Sequence, residues 1–231
     1  MKITVIGASG LIGTKVVDLL SRQGHDVVAA SRSSGVDVLT GDGLAEALSG
    51  ADALVDVTNS PSFEDDPVLE FFTKSTTNLV AAAKAAGVGN YVALSIVGAD
   101  RLPESGYLRA KVAQEKLITE SGVPYSIVRA TQFAEFTDAI TASLAVDDEV
   151  RVPDALIQPI AADEVAAEVA GVAAGEPLGG IVNIGGPEKI SFEEMARAVL
   201  ARQGDVKTVV VDPQAHYFGT SLAKSSLVIA G

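Results

Sequence analysis

The sequence contains no cysteine and no tryptophan, and its only two histidines, His25 and His216, lie far apart in the chain. Without cysteine there is no disulfide, no thiol nucleophile, no thiolate zinc site and no iron–sulfur cluster. Two distant histidines are a poor basis for a metal centre, and none is expected. Cations are scarce too: 17 Lys and Arg face 30 Asp and Glu, a formal net charge of −13, and no two basic residues adjoin. A surface that acidic repels phosphate backbones, so no nucleic-acid partner is expected. No apolar run approaches the roughly 18 residues of a membrane span. The opening Met1-Lys2-Ile3-Thr4-Val5-Ile6-Gly7 meets glycine too early for the apolar part of a signal peptide, and the expected location is the cytoplasm.

What is present is an ordinary globular composition of 231 residues, 48% hydrophobic and 20% charged. A chain of that length buries roughly 70% of its unfolded surface, so a core forms without covalent staples. Short β-branched runs alternate with stretches of helical period, the pattern of a doubly wound parallel sheet covered by helices on both faces. The runs at 3–6, 26–30, 36–38, 53–57, 90–95 and 125–129 are predicted strands. Helices are predicted at 11–23, 44–48, 67–87 and 106–121, each followed by or ending on a glycine. Beyond Arg129 the pieces 149–152, 162–174, 181–184, 191–203 and 207–211 read as a smaller α/β remainder. With no linker or repeat, residues 1–231 are taken as one domain, in which 130–231 contribute the substrate pocket.

Directly after the first strand stands Gly7-Ala8-Ser9-Gly10-Leu11-Ile12-Gly13, followed by a helical period. Gly7 permits a tight turn, Gly10 lets backbone N–H groups approach a pyrophosphate, and Gly13 lets helix pack close on strand. Ser9, Leu11 and Ile12 complete this dinucleotide loop. A Walker loop fails because Gly13-Thr14-Lys15 has the wrong order, and a nucleophile elbow fails at Leu11. The second strand carries no acidic residue at its cofactor end, where NAD-selective sites hold ribose hydroxyls. It delivers Ser31-Arg32-Ser33-Ser34 instead, a cation among hydroxyls suited to a 2′-phosphate, so NADP (as NADPH) is the expected cofactor. Asp37 has the chemistry to accept from the adenine amino group while Val38 covers a ring face; a solvated turn is an equal reading of Asp37. Thr58, Asn59 and Ser60 follow the fourth strand and suit either ribose and pyrophosphate or turn chemistry.

The strand Tyr91–Ser95 precedes a helix beginning Tyr107-Leu108-Arg109-Ala110-Lys111. Tyr107 and Lys111 are one helical turn apart and share a face. A phenol ionises near pH 10 and needs a nearby cation to act as an acid–base group at neutral pH. Lys111 supplies that cation, and Ser95 is placed to hold the same substrate oxygen, a set for moving a proton to or from a carbonyl or carbinol. The plain alternative has Tyr107 packed under a loop and Lys111 bound only to cofactor ribose.

Gly7 to Gly13, Ser95 and the Tyr107/Lys111 pair together resemble the short-chain dehydrogenase/reductase superfamily, in its atypical NmrA-like branch of NAD(P)-binding proteins. Val128-Arg129-Ala130-Thr131-Gln132-Phe133 and Ile157-Gln158-Pro159-Ile160-Ala161-Ala162-Asp163 extend the likeness. The resemblance implies a Rossmann fold, with Asp37 and Val38 at adenine and Ala130, Thr131 and Gln132 near the nicotinamide. Gln132, Phe133 and Phe136 would wall the substrate pocket. It also implies two functions: an oxidoreductase passing hydride between nicotinamide and a small carbonyl or alcohol, or a catalytically silent NADP-binding sensor that acts through a protein partner.

Overall fold

The computed structural model describes residues 1–230. Its centre is a six-stranded, all-parallel sheet in the order β2-β1-β3-β4-β5-β9. The strands and helices run β1 (Lys2–Ile6), α1 (Leu11–Arg22), β2 (Asp26–Ala30), α2 (Leu44–Ala47), β3 (Ala53–Asp56), α3 (Asp65–Ala86), β4 (Asn90–Ile96), α4 (Gly106–Thr119) and β5 (Tyr125–Ala130). There follow α5 (Thr137–Ser143), β6 (Ala145–Val146), β7 (Glu149–Val152), β8 (Leu156–Ile157), α6 (Ala162–Ala173), β9 (Gly180–Ile184), β10 (Ile190–Ser191), α7 (Phe192–Gln203) and β11 (Thr208–Val211). This is the doubly wound Rossmann fold. The chain moves outward from β1 to β2 and then crosses back to β3 on the other side. The reversal opens a crevice beyond the carboxyl ends of β1 and β3, the place where such sheets bind ligands.

Each face of the sheet is sealed by its own core. Ile6, Leu54, Tyr91 and Ile127 pack beneath α2, α3 and α4 with Phe72, Leu79 and Ile118. Val5, Val55, Val92 and Val128 face α1 and α6, meeting Val16, Leu20, Val165 and Val169. A third core joins α5 and α7 to the small sheets β11-β7-β6 and β10-β8 around Ile157, Phe192 and Leu200. No helix among the described residues is long and apolar enough to cross a membrane.

Two predicted elements are corrected. Residues 36–38 are not a strand: the Asp37 carboxylate accepts the Leu39 N–H at 2.7 Å and the Asp37 N–H donates to the Asp42 carbonyl, a turn that diverts the groups a ladder would need. Val36 and Val38 alternate inward because this loop presses both onto the core. The sixth strand is β9, assigned from sequence to the remainder, whose pairing with β5 over 126–130 extends the main sheet. Helix α3 starts two residues ahead of its predicted position, since Pro67 is tolerated in a first turn that also carries Asp65 and Asp66 at the positive end of the helix dipole. The short elements α5, β6, β8 and β10 had no period long enough to show.

A β-carbon on Gly13 would be driven into the Gly7 carbonyl and the Ala8 backbone, whereas one on Gly171, within α6, meets open space. Gly13→Ala is therefore expected to cost about 1–3 kcal/mol of overpacking. Gly171→Ala is expected to be neutral or to stabilise by about 0.5–1 kcal/mol through reduced backbone entropy. Paired urea denaturation curves check both.

Candidate cofactor and active site

The crevice at the reversal leads into a cavity of about 850 Å³. One end is the glycine loop. Gly7 takes φ +86°, and a β-carbon there would lie 2.9 Å from the Val57 carbonyl, so only glycine lets the loop pass this close to the strand beside it. The Gly7 and Ala8 N–H groups donate to the Ala30 carbonyl at 3.0 and 3.1 Å, and Gly10 N–H donates to Gly7 O at 3.0 Å, which folds the loop back under α1. Gly10 caps that helix without a side-chain acceptor, and its carbonyl accepts from both the N–H and the hydroxyl of Thr14 at 3.0 Å. Leu11 and Ile12 thus present free N–H groups at the positive end of α1, on the cavity wall alongside Gly7, Ser9 and Gly10. That donor set suits a pyrophosphate.

Toward the outer end the wall continues through Ser31, Arg32, Val36 and Val38, then Thr58 and Asn59. The Arg32 side chain is 65% exposed, with its Nε 3.6 Å from the Asp37 carboxylate, so the guanidinium keeps donors for another anion. Ser33, Asp37 and Ser60, named from sequence as cofactor contacts, are not brought to the cavity. Ser33 bonds the Ser31 hydroxyl at 2.8 Å, Asp37 closes its own turn, and Ser60 is buried beneath the loop, where its hydroxyl accepts from the Ser62 N–H.

Ser95, Tyr107 and Lys111 all reach the same cavity. Helix α4 carries the last two, and it is anchored by Ser105 at its N-cap. The Tyr107 hydroxyl donates to Asn59 Oδ1 at 2.9 Å, and burial pushes its pKa up to about 12. Lys111 is buried, donates to the Leu94 carbonyl at 2.9 Å and to Gln114 Oε1, and lies 4.4 Å from the Phe72 ring centroid. Burial lowers its pKa from 10.5 to about 8, against the pull of Asp56 and Glu115. The Ser95 hydroxyl donates to Glu115 Oε1 at 2.5 Å, so its proton is directed into the protein. Glu115 also accepts from Arg129 Nε at 2.9 Å and Nη2 at 2.6 Å, bonds that hold the guanidinium charged well above the usual arginine range.

At the inner end lie Ala130, Thr131, Gln132, Phe133 and Phe136. Thr131 spends its hydroxyl on the Gln158 carbonyl at 2.5 Å, while Gln132 Oε1 is buried without a partner, an acceptor that a carboxamide N–H of a bound cofactor would satisfy. Four aromatic residues of the wall were not predicted as site residues from sequence: Phe63, Phe71, Tyr217 and Phe218. All line the cavity. Phe63 sits among proline, serine and acidic residues that read only as a turn, Phe71 lies in a helix whose apolar residues read as core, and an adjacent aromatic pair such as Tyr217-Phe218 fits a core as well as a pocket.

With this geometry in hand, the NAD(P)H-binding family pattern is found to match residues 7–174. The chain belongs to the NAD(P)H-binding family. The curated proteins it is similar to are diverse. It is 24% identical over 149 residues to photosystem II assembly factor Ycf39 of Synechocystis, covering 58% of this chain and 46% of that protein. It is 27% identical over 144 residues to 4-hydroxy-tetrahydrodipicolinate reductase of Natronomonas pharaonis, covering 61% and 48% respectively. The chain spans about half the length of the curated relatives it matches. Among solved structures, UDP-glucose 4-epimerase of Thermus thermophilus in complex with NAD superimposes with a TM-score of 0.73 at 19% identity, covering 98% of this chain and 92% of that one. The NADPH complex of the quinone oxidoreductase QOR2 of Escherichia coli gives 0.69 at 22%, covering 91% and 77%. At those identities the likeness establishes the fold this NAD(P)H-binding chain shares with them.

The lowered Lys111 pKa has a measurable consequence. Below about pH 8 the amine is charged in both folded and unfolded chains, and the cost of burying that charge is fully present. Between about 8 and 10.5 the unfolded chain binds the extra proton, so stability rises with pH, by roughly 3 kcal/mol across the window. Urea unfolding of wild type and Lys111→Met at stepped pH is expected to show the wild type gaining on the variant over this range. A constant difference would mean that the amine titrates as in water.

Proposed function

We propose that the chain is an NADPH-dependent reductase of small carbonyl compounds, of the short-chain dehydrogenase/reductase type in its NmrA-like branch, with Tyr107 as the proton donor. The observation that carries this reading is the placement of the Tyr107 hydroxyl on the wall of the cavity that begins at the glycine loop, with Lys111 one turn further along α4. NADPH, when bound, supplies the hydride that adds to the carbonyl carbon.

The chain's own residues account for the rest. Leu11 and Ile12 N–H groups hold the pyrophosphate, Arg32 and Ser31 meet the 2′-phosphate, and Gln132 receives the carboxamide. Burial pushes the phenol up to about 12, opposite to the lowering by Lys111 that the sequence led one to expect, so Tyr107 holds its proton throughout the physiological range and gives it to the substrate oxygen only as that oxygen takes up charge. Asn59 holds the Tyr107 hydroxyl until a carbonyl oxygen replaces it. Lys111 contributes positive potential beneath the site and, through the Leu94 carbonyl, ties α4 to β4. Ser95 acts as a positioning residue through Glu115 and has lone pairs left for a substrate donor. Residues from Ala130 to Leu227, together with Phe63 and Tyr107, supply the substrate side of the pocket, and a small molecule is the partner; no duplex or membrane is expected to bind.

A second reading, cofactor binding without turnover, is favoured by Lys111 spending donors on Leu94 and Gln114 and by the presence of an assembly factor among the relatives. Following NADPH absorbance across a panel of carbonyl compounds separates the two. The expected result is turnover that Tyr107→Phe reduces by about 10²–10⁴-fold, the usual contribution of a positioned acid. Tight NADPH binding with no oxidation of it by any compound would select the silent reading.

Cofactor preference is tested with Arg32→Ala. Each lost charge-assisted bond to the 2′-phosphate is worth about 1.5–3 kcal/mol. NADPH affinity is therefore expected to fall by about tenfold or more, with NADH affinity little changed, in a calorimetric titration. Equal losses would assign Arg32 to the surface.

A further inference from the structure

The substrate end of the cavity is lined in an unusual way for a neighbour of nucleotide-sugar enzymes. Across the whole cavity wall the charged side chains are Arg32, at the outer cofactor end, and Lys111, whose amine is buried against protein acceptors. Among the described residues no carboxylate lines it. A diphosphate placed at the inner end would lose water and gain no cation, which is prohibitively costly.

What the inner end offers is aromatic surface. Every exposed phenylalanine of the protein, Phe63, Phe136 and Phe218, lines this one cavity. Phe218 stacks on Tyr107 with ring centroids 5.7 Å apart and planes inclined by 24°. Phe63 stands 5.3 Å from the Tyr107 ring and 5.9 Å from that of Phe218. On the opposite side of the sequence Phe133 and Phe136 stack at 5.5 Å. Exposed phenyl rings gathered at one mouth are the mark of an apolar ligand site.

The backbone under Phe218 adds an independent observation. Tyr217 and Thr220 exchange both N–H···O bonds, at 2.9 and 3.1 Å, so Phe218 and Gly219 are the two central residues of a hairpin turn. Both have positive φ, +46° and +77°. Turns of this kind favour Asn-Gly, and a bulky aromatic at the first position is held there against its own preference. The strain is explained by the ring's position against Tyr107.

We propose that this pocket binds a neutral, planar aromatic carbonyl compound, with Phe218 as a specificity-determining residue that stacks on the substrate ring beside Tyr107. The proposal rests on the reductase reading for turnover, and on the pocket alone for binding. Phe218→Asn is the informative variant, because asparagine suits the turn and removes only the ring. Holding the protein saturated with NADPH, binding of 2-acetylnaphthalene, acetylcyclohexane and UDP-glucose would be measured by calorimetry, and NADPH oxidation by absorbance.

The expected result is affinity for 2-acetylnaphthalene about tenfold or more above acetylcyclohexane, and no binding of UDP-glucose. Phe218→Asn is expected to lose about tenfold in affinity for the naphthyl ketone with an unchanged or higher Tm. Binding with this selectivity but without NADPH oxidation supports the ligand class and overturns the reductase reading. Oxidation of NADPH by the cyclohexyl ketone as readily as by the naphthyl one, tight UDP-glucose binding, or a Phe218→Asn variant with undiminished affinity would each overturn the ligand class.

Discussion

The carboxylate of Glu115 is the interaction on which the site's geometry depends. It lies in the interior, on α4, and takes three hydrogen bonds from two strands: one from Ser95 of β4 and two from Arg129 of β5. A buried charge is tolerated only with such complete pairing, and the same pairing fixes the helix in register with the strand ends. Asp56 does the corresponding work one strand over, accepting from Tyr91 on β4, Gln114 on α4 and the Thr58 loop. Two buried carboxylates thus weld α4 to three strands and to the loop that carries Asn59. Tyr107 inherits its position from that weld.

How much of this could be read from residues differs by element. The glycine loop was legible because its three glycines answer three separate steric demands and because it sits between a strand and a helix. The sheet was legible from alternation of period, and the doubly wound class follows from it. At Val36-Asp37-Val38 the alternation is ambiguous: two inward valines give the same pattern whether a ladder or a side-chain-closed turn places them, and only the partner of the Leu39 N–H distinguishes the cases. Strand β9 escaped because sheet membership is a long-range property; Gly180–Ile184 pairs with residues some fifty positions earlier. Phe63 and Phe218 lie in segments whose local chemistry says turn, and what brings them together is tertiary.

The cavity is assembled from two kinds of sequence. Residues within the family match, 7–174, build the glycine loop, Arg32, Tyr107 and the Thr131–Phe136 wall. Tyr217, Phe218 and Leu227 lie beyond it and line the same space. Tyr217 and Leu227 are held there by the third core, in which Tyr217 packs edge-on against Phe192 of α7 at 5.6 Å. A shared cofactor end joined to a private far wall is how one fold accommodates different ligands.

The pairing of β5 with β9 joins strands that are synthesised far apart in time. Strand β5, Tyr125–Ala130, has one neighbour in β4 and waits for its other until Ile184 has been made. During that interval a row of unpaired N–H and C=O groups with apolar Ile127 and Val128 beside them faces outward, a template for strands of other nascent chains. Helix α6 lies within the same stretch of sequence and covers the Val128 and Ala130 face of that edge, while Ile127 lies on the other face, under α3 and α4.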